Sequence, residues 1–196
     1  MTDPNARPED AVSTDRKIVA NYFVSLDGVV ESPDQWHFPY FDDQMGAAVG
    51  AGFERSDSLL MGGTLYREWA EYWPAHADDD FGPVMNGMTK YVVSRTLDKA
   101  DWTNTTLIKG DDVAARIREL KAQPGKDIAM SGSATLARWL LTEGLLDELN
   151  LLVHPIVVGT GARLFPDGTP RQPLRLAESA AFGSGVLHLV YRPATA

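Results

Sequence analysis

Two short stretches of the sequence place glycine and serine directly before a helical pattern, an arrangement that can bind phosphate. One follows the apolar run "SLLM" and the other follows "IAM". A helix N-terminus offers unpaired backbone N–H groups and a partial positive charge, and small residues let an anion come close to them. The residues concerned are Gly62, Gly63, Thr64, Ser131, Gly132, Ser133, Ala134 and Thr135.

Each stretch alone is also compatible with an ordinary structural turn. Neither contains the lysine of a phosphate-binding loop, and neither has the three glycines of a dinucleotide fingerprint. Their recurrence at two predicted strand ends, with Ser94 and Arg95 after a third apolar run, favours a nucleotide site. Gly159-Thr160-Gly161 resembles such a motif too, but no helical pattern follows it, so we expect a connecting loop there.

Asp27 is the candidate catalytic acid, because it comes directly before Gly28 at the end of the first predicted strand. A carboxylate at that position could hydrogen-bond to a nitrogen heterocycle or exchange a proton with it. The alternative is that Asp27 only forms the turn that ends the strand.

The loop "WHFPYFDD" supplies the candidate substrate-binding residues Trp36, His37, Phe38 and Asp42. Aromatic side chains there, including Tyr40, could stack on a flat ring, although in a loop they also close hydrophobic cores. Asp42 or Asp43 could cap the following helix and still lie at the rim of a pocket.

Composition excludes several other classes of function. The chain of 196 residues has a formal net charge of −9 and no cysteine, so we expect no nucleic-acid partner, no disulfide and no cysteine-bound metal. Its four histidines are scattered without metal-ligand spacing, so no metal is expected. No apolar run is long enough for a membrane helix and the start lacks a secretory signal pattern, so a cytoplasmic location is expected. Residues 1–15 are predicted to be a disordered acidic tail and residues 16–194 one domain.

Strands alternate with helical patterns along the rest of the chain, which predicts an α/β fold with a mainly parallel central sheet and helices on both faces. The predicted helices begin near Asp42, Thr64, Asp111 and Ser133, and the last two apolar segments predict an antiparallel hairpin around residues 183–185. "LDELNLLVHPIVVG" is predicted to be one long buried strand. The first helix contains Gly46, Gly50 and Gly52, which indicates either a close approach by a backbone or ligand, or simple tolerance.

Taken together, these segments resemble the dihydrofolate reductase-like superfamily, especially the group that contains the C-terminal reductase domain of the bifunctional riboflavin-biosynthesis deaminase-reductase. The resemblance runs from about residue 17 to residue 192. It is carried by "SLDGVV", "WHFPYFDD", "LLMGGTLYREWAEYWP", "YVVSRTL", "MSGSATLARWLL", "DELNLLVHPIVVGTGARLF" and "GVLHLVYR", in that order.

The resemblance implies the three-layer dihydrofolate reductase-like fold and an enzyme that passes hydride from NADPH, or NADH, to a nitrogen heterocycle. It implies that residues 62–64 form the first nucleotide-binding turn, that Ser94 and Arg95 hold the adenosine and its 2′-phosphate, and that residues 131–135 bind the pyrophosphate. Family members commonly carry an arginine just after the glycine matching Gly62; this chain has none there, which leaves Arg95 as the expected cation.

The expected substrate is a pyrimidine similar to 5-amino-6-(5-phosphoribosylamino)uracil, or a pterin similar to dihydrofolate. The resemblance also suggests a homodimer, to which the apolar segment 151–158 could contribute. Two other functions stay open: a non-catalytic nucleotide-binding module that retains the fold, and a flavin-dependent enzyme on the same scaffold.

Overall fold

The protein is described by a computed structural model that covers residues 16–194; the predicted acidic tail, 1–15, lies outside the described residues. One eight-stranded sheet has the order β4-β3-β2-β5-β1-β6-β8-β7, in which β1 to β6 run parallel and β8 is antiparallel to β6 and β7. The strands are β1 (Ile18–Ser25), β2 (Ser56–Gly62), β3 (Thr89–Val93), β4 (Thr105–Ile108), β5 (Asp127–Ser131), β6 (Glu148–His154), β7 (Leu174–Ala181) and β8 (Leu187–Pro193). The predicted mainly parallel sheet with an antiparallel C-terminal hairpin is confirmed.

Five α-helices connect these strands. They are α1 (Asp43–Glu54), α2 (Gly63–Ala75), α3 (Gly82–Gly87), α4 (Val113–Lys121) and α5 (Ala134–Thr142). Asp42 caps α1 by accepting a hydrogen bond from the Met45 N–H, and Asp112 caps α4 by accepting one from the Ala115 N–H. The helix predicted to begin near Thr64 is α2, which begins one residue earlier, at Gly63, with Gly62 as its N-cap.

The helices cover both faces of the sheet, as the alternation of buried side chains along β2 shows. Leu60 packs into a cluster with Ile117 of α4 and Leu140 of α5. Leu59 and Met61 point to the opposite face, in a cluster with side chains from α1, α2 and α3. Burial on both faces is what makes the central strands almost continuously apolar.

Three elements differ from the sequence prediction. β4 and α3 were not predicted, since β4 is four residues long and α3 has the sequence "GPVMNG", which is poor in helix formers. β6 is shorter than predicted because it ends at His154, directly before Pro155, which has no N–H to donate to a neighbouring strand. Segment 151–158 is therefore half strand and half loop, which corrects its description as a continuous apolar strand.

The glycines of α1 show no close backbone approach. A Cβ added at Gly50 or Gly52 would meet nothing within 4 Å, and one at Gly46 would lie 3.6 Å from the Phe41 ring, an ordinary contact. The packing therefore argues against a close backbone approach; Gly52 lines the cleft, so the approach of a ligand stays a prediction. Among the described residues, no helix has both the length and the apolar character needed to cross a bilayer.

Candidate functional site

A cleft of about 2260 Å³ runs along the carboxyl ends of the parallel strands and under α1. Its size exceeds the roughly 300–1,000 Å³ typical of a pocket for one small ligand. All ten residues predicted to bind the cofactor line this cleft: Gly62, Gly63, Thr64, Ser94, Arg95, Ser131, Gly132, Ser133, Ala134 and Thr135. The structure thus brings three strand ends together at one site, as expected for an open parallel sheet.

The strand ends are locked to one another by small residues. The Gly62 N–H donates a hydrogen bond of 2.7 Å to Ser133 Oγ, which joins the end of β2 to the turn after β5. A Cβ at Gly63 would lie 2.7 Å from Ser94 Oγ, so the turns after β2 and β3 are in contact and only glycine fits between them. These contacts explain why glycine and serine occur at these positions.

Two helix N-termini open into the cleft without a side-chain cap. Neither Gly62, before α2, nor Ser133, before α5, provides a side-chain hydrogen bond to its own helix. Ser133 has a left-handed backbone (φ 56°) and Gly132 a φ of 86°, and the Tyr22 hydroxyl donates a hydrogen bond of 2.7 Å to the Gly132 carbonyl. The first N–H groups of both helices therefore stay available to an anion.

Three cationic side chains line the cleft around these turns. Arg95 is exposed just after β3, as predicted. Lys109 follows β4, and sequence reasoning missed it because it missed β4. Arg138, one turn into α5, donates hydrogen bonds to the Leu164 carbonyl (2.8 Å) and to Thr135 Oγ1 (3.1 Å). Lys109 is paired with Asp98 (3.4 Å) and carboxylates such as Asp111 also line the cleft, so the positive charge is local to the turns.

The structure shows Asp27 making the turn contacts that were the alternative to a catalytic role, which stays a prediction. Its carboxylate accepts hydrogen bonds from the Ser25 hydroxyl (2.7 Å) and from the N–H groups of Val158 and Gly159 (both 3.0 Å). These donors lower the pKa of Asp27 from 3.8 to about 2. The side chain does not line the cleft and stays ionised, so it is unsuited to deliver a proton.

Trp36 and Asp42, predicted to bind substrate, do not line the cleft either. Trp36 is 8% exposed and its Nε1 donates to the Glu31 carbonyl, so it closes the core beneath the loop. Asp42 caps α1 and also accepts from the Ser184 N–H at 3.1 Å. These backbone donors, the Met45 N–H first, lower the pKa of Asp42. Both residues support the wall of the cleft from behind.

His37 and Phe38 do line the cleft, as predicted. His37 is 7% exposed and stacks on Phe23, with ring centroids 4.5 Å apart, while Phe38 is 64% exposed at the cleft surface. Burial, followed by the nearby His154, lowers the pKa of His37, so the imidazole is neutral at pH 7.

Two asparagines in the cleft were missed because each lies inside a strand, where the sequence pattern gives no functional signal. Asn21 of β1 pairs with Ser131 of β5 on one side and with Asn150 of β6 on the other, so the three polar side chains form a row on one sheet face. Asn150 Nδ2 donates a hydrogen bond of 2.9 Å to Asn21 Oδ1. Among residues 16–194, Asn150 Oδ1 has no hydrogen-bond partner.

The residues present fit a nicotinamide dinucleotide. Two helix N-termini without side-chain caps open into the cleft, and the turns beside them carry glycine where a larger side chain would fill the space between the turns. Within the part of the chain that the structure describes, no group of three histidine, aspartate or glutamate side chains could hold a metal ion.

Comparisons with known proteins identify the family. The RibD C-terminal domain family matches residues 16–188. The uncharacterized protein YyaP of Bacillus subtilis (strain 168) is 32% identical over 90% of this chain and 94% of its own length. A crystal structure of a Shewanella sp. PV-4 protein named for riboflavin biosynthesis matches with a TM-score of 0.72 at 20% identity, over 91% of this chain and 99% of that one. The Thermotoga maritima diaminohydroxyphosphoribosylaminopyrimidine deaminase/5-amino-6-(5-phosphoribosylamino)uracil reductase matches with a TM-score of 0.64 at 12% identity, over 92% of this chain but 57% of that protein.

Proposed function

The chain belongs to the RibD C-terminal domain family, and from that premise we propose that it is an NADPH-dependent reductase that transfers hydride to a nitrogen heterocycle. The family and its reductase-like structural neighbours support an oxidoreductase of the pyrimidine reductase-like type. The proposed acceptor is a pyrimidine related to 5-amino-6-(5-phosphoribosylamino)uracil or a pterin related to dihydrofolate.

The observation that carries the proposal is the convergence of two uncapped helix N-termini on one cleft. The N-termini of α2 and α5 are held side by side by the hydrogen bond from the Gly62 N–H to Ser133 Oγ. Two such anion sites next to each other suit a diphosphate better than an isolated phosphate, because a diphosphate presents two anionic groups a few ångströms apart. Arg95 supplies an exposed cation at the same end of the cleft, where a 2′-phosphate would need it, while Lys109 beside it is paired with Asp98.

The protein's contribution to the reaction would be binding and orientation. A bound nicotinamide would supply the hydride to the acceptor carbon, and solvent water would supply the proton to the neighbouring ring nitrogen. Residues 62–65 and 133–136 would hold the diphosphate through backbone N–H groups. The hydrogen bond from the Tyr22 hydroxyl to the Gly132 carbonyl keeps the turn before α5 in position. The polar row of Ser131, Asn21 and Asn150 lies under α1 on the sheet face, where a planar acceptor would be positioned between the sheet and the helix.

A fluorescence titration with NADPH and NADH tests the proposal. Trp69 and Trp73 line the cleft, so nucleotide bound there should quench their emission saturably. No binding of either nucleotide would refute the proposed function.

The place of the 2′-phosphate is tested by the Arg95→Ala variant. We expect this change to weaken NADPH binding by about tenfold, which corresponds to the loss of one charge-assisted hydrogen bond, and to leave NADH binding almost unchanged. Lys109→Ala is the matched variant for the second cation of the same end. Equal weakening of NADPH and NADH by Arg95→Ala would show that the arginine does not read the 2′-phosphate.

The alternative function is a non-catalytic nucleotide-binding module, and one observation favours it. The carboxylate considered for catalysis, Asp27, and the one considered for substrate binding, Asp42, both accept hydrogen bonds from backbone N–H groups and do not line the cleft. The alternative predicts that NADPH binds but is not oxidised across a panel of pteridines, pyrimidines and quinonoid acceptors. Oxidation of NADPH with any of these acceptors decides for the reductase.

We also propose that the protein works in the cytoplasm as a homodimer. Exposed apolar side chains at the carboxyl edge, Leu26 and Val157, are each about two-thirds exposed, and the Leu26 N–H donates to the Ile156 carbonyl, so they lie on adjacent segments. Exposed apolar surface of this kind is typical of protein contacts. Light scattering on the purified full chain would give twice the chain mass for a dimer, and a monomer mass would refute this proposal.

A further inference from the structure

His37 lies in the loop "WHFPYFDD", which we call the aromatic loop. It is buried, and it also lines the cleft. Phe23 of β1 stacks on one side of its ring at 4.5 Å with an interplanar angle of 6°. Phe38 lies on the ring at 4.1 Å with an angle of 34°. The plane of the imidazole is therefore fixed by its two neighbours before any ligand binds.

The two ring nitrogens of His37 have different surroundings. Nδ1 is buried and has no hydrogen-bond partner among the described residues. Nε2 is not sealed in this way, and it likewise makes no hydrogen bond to residues 16–194, so it is the polar atom through which His37 meets the cleft. A proton on Nδ1 would be a buried donor without an acceptor, which is rare in proteins, so the proton belongs on Nε2.

The surroundings keep this imidazole neutral. Burial and the adjacent ring of His154, at 6.1 Å between centroids, disfavour a second proton, and the carboxylate of Asp34 opposes them more weakly. Phe23, Phe38 and Phe41 contribute no charge to the packing around the ring. A neutral ring protonated at Nε2 donates one hydrogen bond, and at Nε2 it accepts none.

We infer that His37 binds the heterocyclic acceptor by donating a hydrogen bond from Nε2–H to one of its carbonyl oxygens or ring nitrogens. The inference rests on the proposed function, and it narrows the substrate class to planar rings that present an acceptor at the edge facing the aromatic loop. Phe23, stacked on the imidazole, and Phe38, tilted over it, hold the donor in one direction, so His37 selects ring orientation as well as ring type. An all-carbon ring of the same size would leave Nε2–H unpaired and would be rejected.

The first test needs no ligand. Long-range ¹H–¹⁵N spectra of the full chain labelled at histidine report which ring nitrogen carries the proton, and the His37→Gln variant assigns the signal. We expect the neutral Nε2–H form at pH 7.5. A proton on Nδ1, or a doubly protonated ring at that pH, would overturn the inference.

The second test uses 5,6-diaminouracil as the probe, titrated with and without saturating NADP⁺. We expect the His37 Nε2 resonance to shift on binding, an effect that a merely structural histidine would not show. His37→Phe keeps the stacking but removes the donor, and it should weaken binding of the probe about tenfold. His37→Gln, which can place an amide N–H near the same point, should stay within about threefold of the wild type.

His76→Phe is the control, since His76 is exposed, stacks on Tyr72 and does not line the cleft. It should bind the probe as the wild type does. Thermal unfolding of each variant separates a folding defect from loss of a contact. Wild-type affinity of His37→Phe for the probe, or no probe binding to the wild type, would overturn the role of His37. Failure to bind NADPH would refute the proposed function instead, and the tautomer and the titration without NADP⁺ would still decide the inference.

Discussion

The two ends of the cleft are built in different ways. The nucleotide side, made of residues 62–65, 94–95 and 131–135, consists of turns that each follow directly from a strand into a helix or loop, and its key contacts are made by backbone and small side chains. The ring side is lined by residues 30–34, 37, 38 and 41 and by α1. It is held by larger polar side chains that accept hydrogen bonds from segments far apart in sequence. Examples are the bonds from the Val158 N–H to Asp27 and from the Gly183 N–H to Gln44.

This difference explains which site residues could be predicted. A strand, a glycine and a helical pattern lie within a dozen residues on the nucleotide side, so local patterns suffice to identify these residues. All ten predicted residues line the cleft. On the ring side, the role of Asp27 depends on a loop more than 130 residues later, because its acceptors are used by Val158 and Gly159. No local pattern reveals such a contact, so the sequence could not show that Asp27, Trp36 and Asp42 lie outside the cleft lining.

The same distinction applies to the fold. A strongly patterned segment such as α5 was located well, since it begins at Ala134 where a helix was predicted to begin near Ser133. β4 was missed because four residues carry too little periodicity to be recognised, and Lys109 was lost with it. Asn21 and Asn150 were missed because they face each other only after β1 and β6 pair in register.

The largest effect is expected from Gly63→Val on the nucleotide side. The new Cβ would lie 2.7 Å from Ser94 Oγ and 3.0 Å from Ser94 Cβ, so the turns after β2 and β3 must separate. We expect NADPH affinity to fall by about 30-fold or more and the free energy of unfolding to fall by about 1–3 kcal/mol. Isothermal titration and denaturant unfolding measure the two quantities. Unchanged NADPH affinity in a folded variant would contradict the assignment of this turn.

A smaller effect, confined to the ring side, is expected from Asp27→Asn. The pKa of Asp27 is about 2 in the folded protein and 3.8 ordinarily, so between these values the unfolded chain binds more protons than the folded one. Its contribution to stability is therefore present above about pH 4 and lost as the pH falls toward 2. The variant should be less stable at pH 7 and should show a flatter loss of stability between pH 4 and 2, while NADPH affinity stays the same.

A fall in hydride transfer with Asp27→Asn that exceeds its effect on stability would contradict the turn-forming role and restore Asp27 as a catalytic residue. Thermal unfolding across this pH range, with a parallel NADPH titration at pH 7, distinguishes the two outcomes.

The smallest effect is expected from Gly50→Ala in α1. A Cβ there meets nothing within 4 Å and the glycine has no left-handed backbone, so alanine gains helix propensity without a clash. The free energy of unfolding should rise by up to about 1 kcal/mol, with nucleotide affinity unchanged. Destabilisation, measured by denaturant unfolding, would indicate that something else packs against this helix. The variant is also the glycine control for Gly63→Val.

A crystal structure of the protein with NADPH tests the central claim most directly. The account predicts diphosphate oxygens within hydrogen-bond distance of backbone N–H groups at the starts of both α2 and α5, with the nicotinamide directed toward the row of Ser131, Asn21 and Asn150. NADPH bound at another surface, or an empty cleft at saturating NADPH, would contradict it.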